Sequence, residues 1–314
     1  MEDENLVNDP VVHRHTATLT GLEPDTSYLY SVGDGSNDNW SALAEFTTAP
    51  EQTKPFSFIY MGDAQNGLDR WGSLVQRAYR QRPDAAFYIM AGDLVDRGNE
   101  RDDWDSFFHN ARGIYNHRPI VPAIGNHENQ GGHPSMYLQM FDLPKNGPED
   151  IEPEMAYSFS YSNSEFFVLD TNLTLESQTV WLEEALKKST AVWKFAVYHH
   201  PAYSSSPDRD NPGIRQHWTP LFDKYHLDMA LQGHDHAYLR TYPIKDQKNV
   251  DTRGLEISKN KVQICVSKGL TVIEGNAEED LKQFPKSSFN YAILSLSLIH
   301  ISEPTRRYAI SYAV

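Results

Sequence analysis

Five short blocks of this 314-residue chain bring together carboxylate, amide and imidazole side chains: Gly62-Asp63-Ala64-Gln65, Gly92-Asp93-Leu94-Val95-Asp96, Gly125-Asn126-His127-Glu128, His199-His200-Pro201 and Gly233-His234-Asp235-His236. Aspartate, amide oxygen and neutral imidazole are donors that suit iron, manganese and zinc alike. Two such ions held about 4 Å apart need a carboxylate that bridges them, further ligands on each side, and open positions for water and substrate. The blocks supply that set. Asp63, Asp93 and His236 are assigned to a first ion, and Asp93 bridges to a second held by Asn126, His199 and His234. Gln65 is a further candidate ligand of the first ion through its amide oxygen. The bridge falls to Asp93 because one carboxylate serving both ions lowers their mutual repulsion. Taken singly, a Gly-Asp pair is an ordinary turn and a His-x-His pair is not decisive. Five blocks in order are a different matter, because each closes a candidate strand.

The elements that must position these blocks follow from periodicity. Short apolar runs at Phe56 to Met61, Ala85 to Ala91, Ile120 to Ile124, Glu165 to Leu169, Val192 to Tyr198 and Asp228 to Leu231 read as strands. Apolar residues at three-to-four spacing predict helices over Leu68 to Gln81, Glu100 to Tyr115, Glu176 to Lys188 and Gly213 to Tyr225. Alternation of the two predicts an α/β domain. Side chains at the C-terminal ends of parallel strands project into one crevice, which brings distant blocks together. The glycine ahead of the polar group in four of the five blocks lets the backbone turn sharply there. Upstream, His13 to Thr48 reads as all-β, with alternating stretches Thr16 to Leu19, Ser27 to Val32 and Ala42 to Thr47 separated by turn residues.

Composition bounds the rest. With 39% hydrophobic residues the chain has room for one large domain and a small one. No run of about 18 apolar residues exists, and Met1 to Pro10 lacks the basic-then-apolar pattern of a signal peptide. A formal charge of -15 argues against a nucleic-acid backbone or an anionic membrane as a partner. The single cysteine, Cys265, lies in the apolar stretch Val262 to Val266 and reads as core, which leaves the redox compartment open. Leu296 to Val314 resembles translated sequencing-adapter DNA and is read as a non-native tail.

The blocks resemble those of the calcineurin-like metallophosphoesterase superfamily, and within it the purple acid phosphatase group. The sub-group signal lies in His234-Asp235-His236-Ala237-Tyr238-x-Arg240, in His199-x-Pro201-x-Tyr203, and in the preceding β-rich segment. There Gly21-Leu22-x-Pro24-x-Thr26-x-Tyr28 and Phe46-Thr47-Thr48-Ala49-Pro50 resemble the second half of a fibronectin type III domain. The resemblance covers Phe56 to Leu294 and implies a four-layer α/β/β/α sandwich. Three parts are expected: a partial fibronectin-like segment over 1–50, the catalytic domain over 51–295 and the tail over 296–314. It also implies export, to a secreted or periplasmic location. One departure matters: the group has a ligating tyrosine three residues after the bridging aspartate, and here that residue is Asp96. No tyrosinate-to-iron colour is expected. In the wider superfamily an aspartate at that place orients the histidine of the Gly-Asn-His-Glu block, and a histidine usually stands where this chain has Gln65.

The expected chemistry is hydrolysis of a phosphate monoester, in an acid phosphatase-like manner, by a hydroxide generated from metal-bound water. His127, beside the ligand Asn126, is the candidate general acid for the leaving alkoxide, with Asp96 holding its ring. His200, Tyr203, His217 and Arg240 are candidates for framing a small phosphorylated substrate, and the loops Tyr137 to Glu154 and Ser204 to Pro212 for selecting it. Asp235 is expected to point away from the metals; His109, His117, His133 and His226 read as incidental. A phosphodiesterase or nucleotidase with the same metal core is an alternative. The rival of another kind is a carbohydrate- or cell-surface-binding protein with a vestigial site, betrayed by glycan binding without metal or turnover.

Overall fold

Successive side chains of a strand point to opposite faces, and the central strands of this chain are apolar on both. In the computed structural model, which describes residues 14–249 apart from 37 and 242, together with 254–256, 263 and 272–274, that double-sidedness organises the molecule. Strands β3 (Ile59–Met61), β4 (Tyr88–Met90) and β5 (Ile120–Pro122) form one parallel sheet in that order. Strands β6 (Tyr157–Tyr161), β7 (Ser164–Val168), β8 (Trp193–Val197) and β9 (Met229–Leu231) form a second, with β6 antiparallel at its edge and the other three parallel.

One set of faces meets between the sheets: Phe87, Ile89 and Ala91 from the first pack against Tyr157, Phe166, Val168, Val197 and Leu231 from the second. The opposite faces meet helices. Tyr88 and Met90 pack with Trp71 and Val75 of α1 (Leu68–Gln81), Trp104 and Phe107 of α2 (Arg101–Asn110), and Met136 and Tyr137 of α3 (Ser135–Met140). Phe167, Ala196 and Tyr198 pack with Leu182 and Leu186 of α4 (Leu175–Lys188), Ile214 of α5 (Pro212–His217) and Leu221 of α6 (Thr219–Tyr225). The order is helix, sheet, sheet, helix, as the resemblance implied. Each large apolar side chain so buried stabilises the fold by about 1.5–3 kcal/mol relative to exposure.

Among the described residues the β-rich segment contributes one hairpin, β1 (Ser27–Tyr30) with β2 (Ala44–Thr47), which leans on the α/β layers. The Tyr30 hydroxyl donates to Asn116 O at 2.8 Å, and Glu45 N donates to His117 Nδ1 at 3.1 Å. Thr16 to Leu19 is not a strand, and His117, read as incidental, is part of this contact. Cys265 and the adapter-like tail lie outside the described residues.

Several expectations about elements are corrected. The predicted helix Gly213 to Tyr225 is two helices, because Pro220 in the first turn of α6 has no N–H and its ring obstructs the preceding turn. The helix expected over Glu100 to Tyr115 ends at Asn110, and the strands are shorter than their apolar runs. Strand β6 and helix α3 were missed. Tyr137 of α3 and Tyr157 of β6 both donate to the carbonyl of Pro122, at 2.9 and 2.7 Å, so both elements are tied to the end of β5.

Candidate metal centre

All five blocks begin one to three residues past the C-terminal end of a parallel strand: β3, β4, β5, β8 and β9 in turn. The chain turns sharply there. Asp63, Asp93, His234 and His236 all have positive φ, at 57, 54, 74 and 44°. A non-glycine residue in that region carries strain of order 1–3 kcal/mol, and such residues concentrate where function over-determines the backbone. Glycine is demanded for closeness as well: a Cβ on Gly125 would stand 2.1 Å from Asp93 Oδ1, and one on Gly233 2.8 Å from Asp63 Oδ2.

His199 is fully buried at the middle of the cluster. Its Nδ1 donates to Ala91 O at 2.8 Å, which leaves Nε2 facing Asp93 Oδ2 at 3.1 Å, Asn126 Oδ1 at 3.1 Å and His234 Nδ1 at 3.2 Å. Four lone-pair-bearing atoms therefore converge. Asp63 lies alongside, its Oδ1 accepting from His234 N at 2.7 Å and standing 3.5 Å from His236 Nε2. Gln65 is buried with its Nε2 at 3.1 Å from Asp93 Oδ2 and 2.9 Å from His236 Nε2, while its Oε1 has no hydrogen-bond partner. Rotating that amide by half a turn puts the oxygen on the centre. One ligand atom each from Asp63, Asp93 and His199, or from His199, His200 and His234, lies within 4.8 Å of the others. Acceptors without donors are what a cation requires, and the residues present fit a pair of metal ions.

Electrostatics point the same way. Burial pushes the Asp63 carboxyl up to about 7, with Asp93 adding to it and His199 opposing. Burial would depress the His199 imidazole, but the bond and charge of Asp93, with Asp63 behind it, outweigh that and push it up to about 9. The buried anions thus make an imidazolium where no cation is bound. At the neighbouring imidazoles burial wins: His200 is pushed down to about 4 and His234 to about 3, the charge on His199 adding to the fall.

A pH dependence follows for metal-free protein. The native state holds an extra proton on His199 between the ordinary 6.5 and about 9, so this stabilisation is complete below 6.5 and is lost as pH rises toward 9. Asp63 and Glu128 are raised only to about 7, so above that value His199 governs among these groups. Chelated protein should lose roughly 2 kcal/mol between pH 7 and 9, seen as a falling Tm, and metal loading should flatten the slope. A Tm in chelator that is level over this window contradicts the arrangement.

Glu128 has a role that its block did not reveal. Its buried carboxylate accepts from the backbone N–H groups of Asp93, Leu94 and Gly125 at 2.8, 2.7 and 2.8 Å, stitching the β4 and β5 turns together under Asp93. Asp170 does similar work, accepting from Asn172, whose amide donates to Gly125 O at 3.1 Å. The Asp170 contacts and that of Glu128 with Gly125 are local, whereas only the tertiary fold brings Asp93 N and Leu94 N to Glu128.

The remaining predicted residues are placed as follows. His127 Nδ1 donates to the Asp96 carbonyl at 2.5 Å, with the Asp96 carboxylate at 3.5 Å, so the backbone more than the side chain of Asp96 orients the ring. His127 Nε2 is 3.8 Å from Asp93 Oδ2. His200 packs on His234 with ring centroids 4.3 Å apart. Tyr203 packs under the Arg215 guanidinium, and Arg240 faces Tyr238 closely enough to oppose the upward push of burial on that phenol. His217 is given to Glu176 at 3.7 Å. Asp235 accepts from the Ser204 hydroxyl. Arg209, from the loop Ser204 to Pro212, reaches His234 and was not singled out by its sequence.

Comparison with known proteins is consistent with this geometry. The calcineurin-like phosphoesterase family matches residues 56–238, and the purple acid phosphatase N-terminal domain matches residues 3–48. The methionine biosynthesis protein MetW family matches residues 233–309, most of which lie outside the described residues. An uncharacterized protein of Mycobacterium tuberculosis is 29% identical over 287 residues, 77% of this chain and 53% of that protein. A purple acid phosphatase of Glycine max is 26% identical over 315 residues, 90% of this chain and 66% of that protein. The chain thus spans between about half and two thirds of the length of these relatives. Among solved structures, purple acid phosphatase PPD1 of yellow lupin has a TM-score of 0.64 at 22% identity, covering 74% of this chain and 48% of that one, a likeness of fold.

Proposed function

The chain belongs to the calcineurin-like phosphoesterase family, and from that premise we propose that it hydrolyses small phosphate monoesters at a binuclear metal centre. Asp63, Gln65 and His236 would hold one ion, Asn126, His199 and His234 the other, with Asp93 between them. The observation that carries this reading is the convergence of Asp93, Asn126 and His234 on His199 Nε2, at 3.1, 3.1 and 3.2 Å. When bound, the ions supply Lewis acidity toward phosphoryl oxygen and a nucleophilic water near neutral pH. Iron, manganese and zinc all suit this donor set.

The chain's own residues do the rest. The Thr171 hydroxyl accepts from His200 N at 3.1 Å and lies 2.7 Å from His200 Nδ1; with its own proton given to Nδ1, the ring proton is on Nε2. His200 then presents a donor, suited to a phosphate oxygen and not to a metal. His127 Nδ1 donates to the Asp96 carbonyl, so it is the imidazolium form of this ring that would carry, at Nε2, the proton that a leaving alkoxide needs. Glu128 and Asp170 keep the turns beneath from relaxing.

The test is the initial rate on p-nitrophenyl phosphate and on its bis-ester, after reconstitution with manganese, zinc or iron. Faster monoester turnover is expected. A diester preference would move the chain to the phosphodiesterases, and no turnover of either by folded, metal-loaded protein would end the reading.

A further inference from the structure

The Ser204 to Pro212 loop carries an arginine that no metal assignment uses. Arg209 Nη2 lies 2.8 Å from His234 Nε2, and its Nε lies 3.8 Å from Asp235 Oδ1. Its charge helps to depress three histidines of the centre, His200, His234 and His236. The side chain is 40% exposed, so it stands at the rim between the histidines and solvent.

The loop is built to hold it there. Asp208, just before, adopts positive φ of 58°. Asp210, just after, accepts from Arg215 Nη1 at 2.7 Å, while Asn211 Nδ2 donates both to Pro201 O at 2.9 Å and to the carbonyl of Arg209 itself at 3.0 Å. The Ser204 hydroxyl anchors the loop's start to Asp235, between the two histidines of the last block. Such fixing lowers the ordering entropy a contact must overcome.

Donor arithmetic then says what Arg209 is for. His234 turns Nδ1 toward His199 Nε2, and ligation through Nδ1 leaves the imidazole proton on Nε2. Nε2 then ceases to be an acceptor. Two donors cannot hydrogen-bond each other, so filling the centre releases the guanidinium from His234. Its released donors sit beside the site, in a planar fork that matches two oxygens of one phosphoryl group.

We propose that Arg209 is the substrate-anchoring residue of this centre, binding the phosphoryl oxygens and favouring a dianionic monoester over a monoanionic diester. The inference rests on the metallophosphatase reading above and names the residue that sets its substrate class. An arginine suits that choice, because a diester has one fewer charge and a second ester group where the fork would sit.

The test uses the metal-loaded protein, with wild type, Arg209→Met and Arg209→Lys titrated with inorganic phosphate by calorimetry and metal content measured in parallel. Arg209→Met should weaken phosphate binding on the order of ten- to a hundred-fold, the range for a charge-assisted hydrogen bond, with metal content unchanged. Arg209→Lys should recover part of the loss, because it keeps the charge and loses the fork. KM for p-nitrophenyl phosphate should rise with the phosphate Kd, while the bis-ester rate changes little. Unchanged phosphate affinity in metal-replete Arg209→Met overturns the inference alone, as does metal loss, which would make Arg209 a prop for His234. Wild type that neither binds phosphate nor turns over either ester removes the function and the anchor together.

Discussion

Asp93→Asn is expected to lower turnover of p-nitrophenyl phosphate at least about a thousandfold, more than the usual loss of one preorganised electrostatic contact. The reason lies in the two oxygens of one side chain. Asp93 Oδ1 accepts from His127 N at 3.0 Å, and Oδ2 faces both His199 Nε2 and Gln65 Nε2 at 3.1 Å. Asparagine keeps the first acceptor and the shape. Its amide nitrogen, in place of Oδ2, can donate to the lone pair on His199, so metal-free protein should remain folded. What it cannot do is bridge two cations. Metal analysis should show at least one ion lost with circular dichroism unchanged. Full metal content and more than about a tenth of the activity would show that Asp93 is not the bridge.

The second large effect is expected at His127, and it depends on the leaving group. His127→Ala should lose about a hundredfold or more on alkyl phosphates, the usual contribution of a general acid, and less than about tenfold on p-nitrophenyl phosphate, whose phenolate departs without a proton. The variant isolates the side chain well. His127 N, which donates to Asp93 Oδ1, belongs to the backbone and survives the change, so the Asp93 carboxylate stays positioned. Metal content should therefore be retained. Equal losses on both substrates would mean that the ring holds structure and moves no proton.

How much of this was legible in the chain differs between fold and site. Helix α1 was read with its bounds, because Trp71 and Val75 recur four residues apart and Gly67 precedes a clean amphipathic run. Helix α4 was read to within one residue for the same reason. Strand β6 was missed although Tyr157, Phe159 and Tyr161 alternate with serines, since acid, proline and glycine just before it read as loop. Its pairing with β7, down to Tyr161 opposite Ser164, is what makes those residues a strand.

Sequence alone determined the donor types, their order and their attachment to strand ends. Those follow from local rules: an apolar run reads as a strand, and polar side chains just past the C-terminal ends of parallel strands face one crevice. It did not determine which backbone groups surround Glu128, that the Asp96 carbonyl takes the His127 proton, or that Arg209 reaches His234 across 25 residues of chain. Each of these is a contact between turns that follow different elements. No residue type or spacing encodes such a contact, because it depends on where two packed sheets place the ends of their strands, and that geometry exists only once the layers have closed.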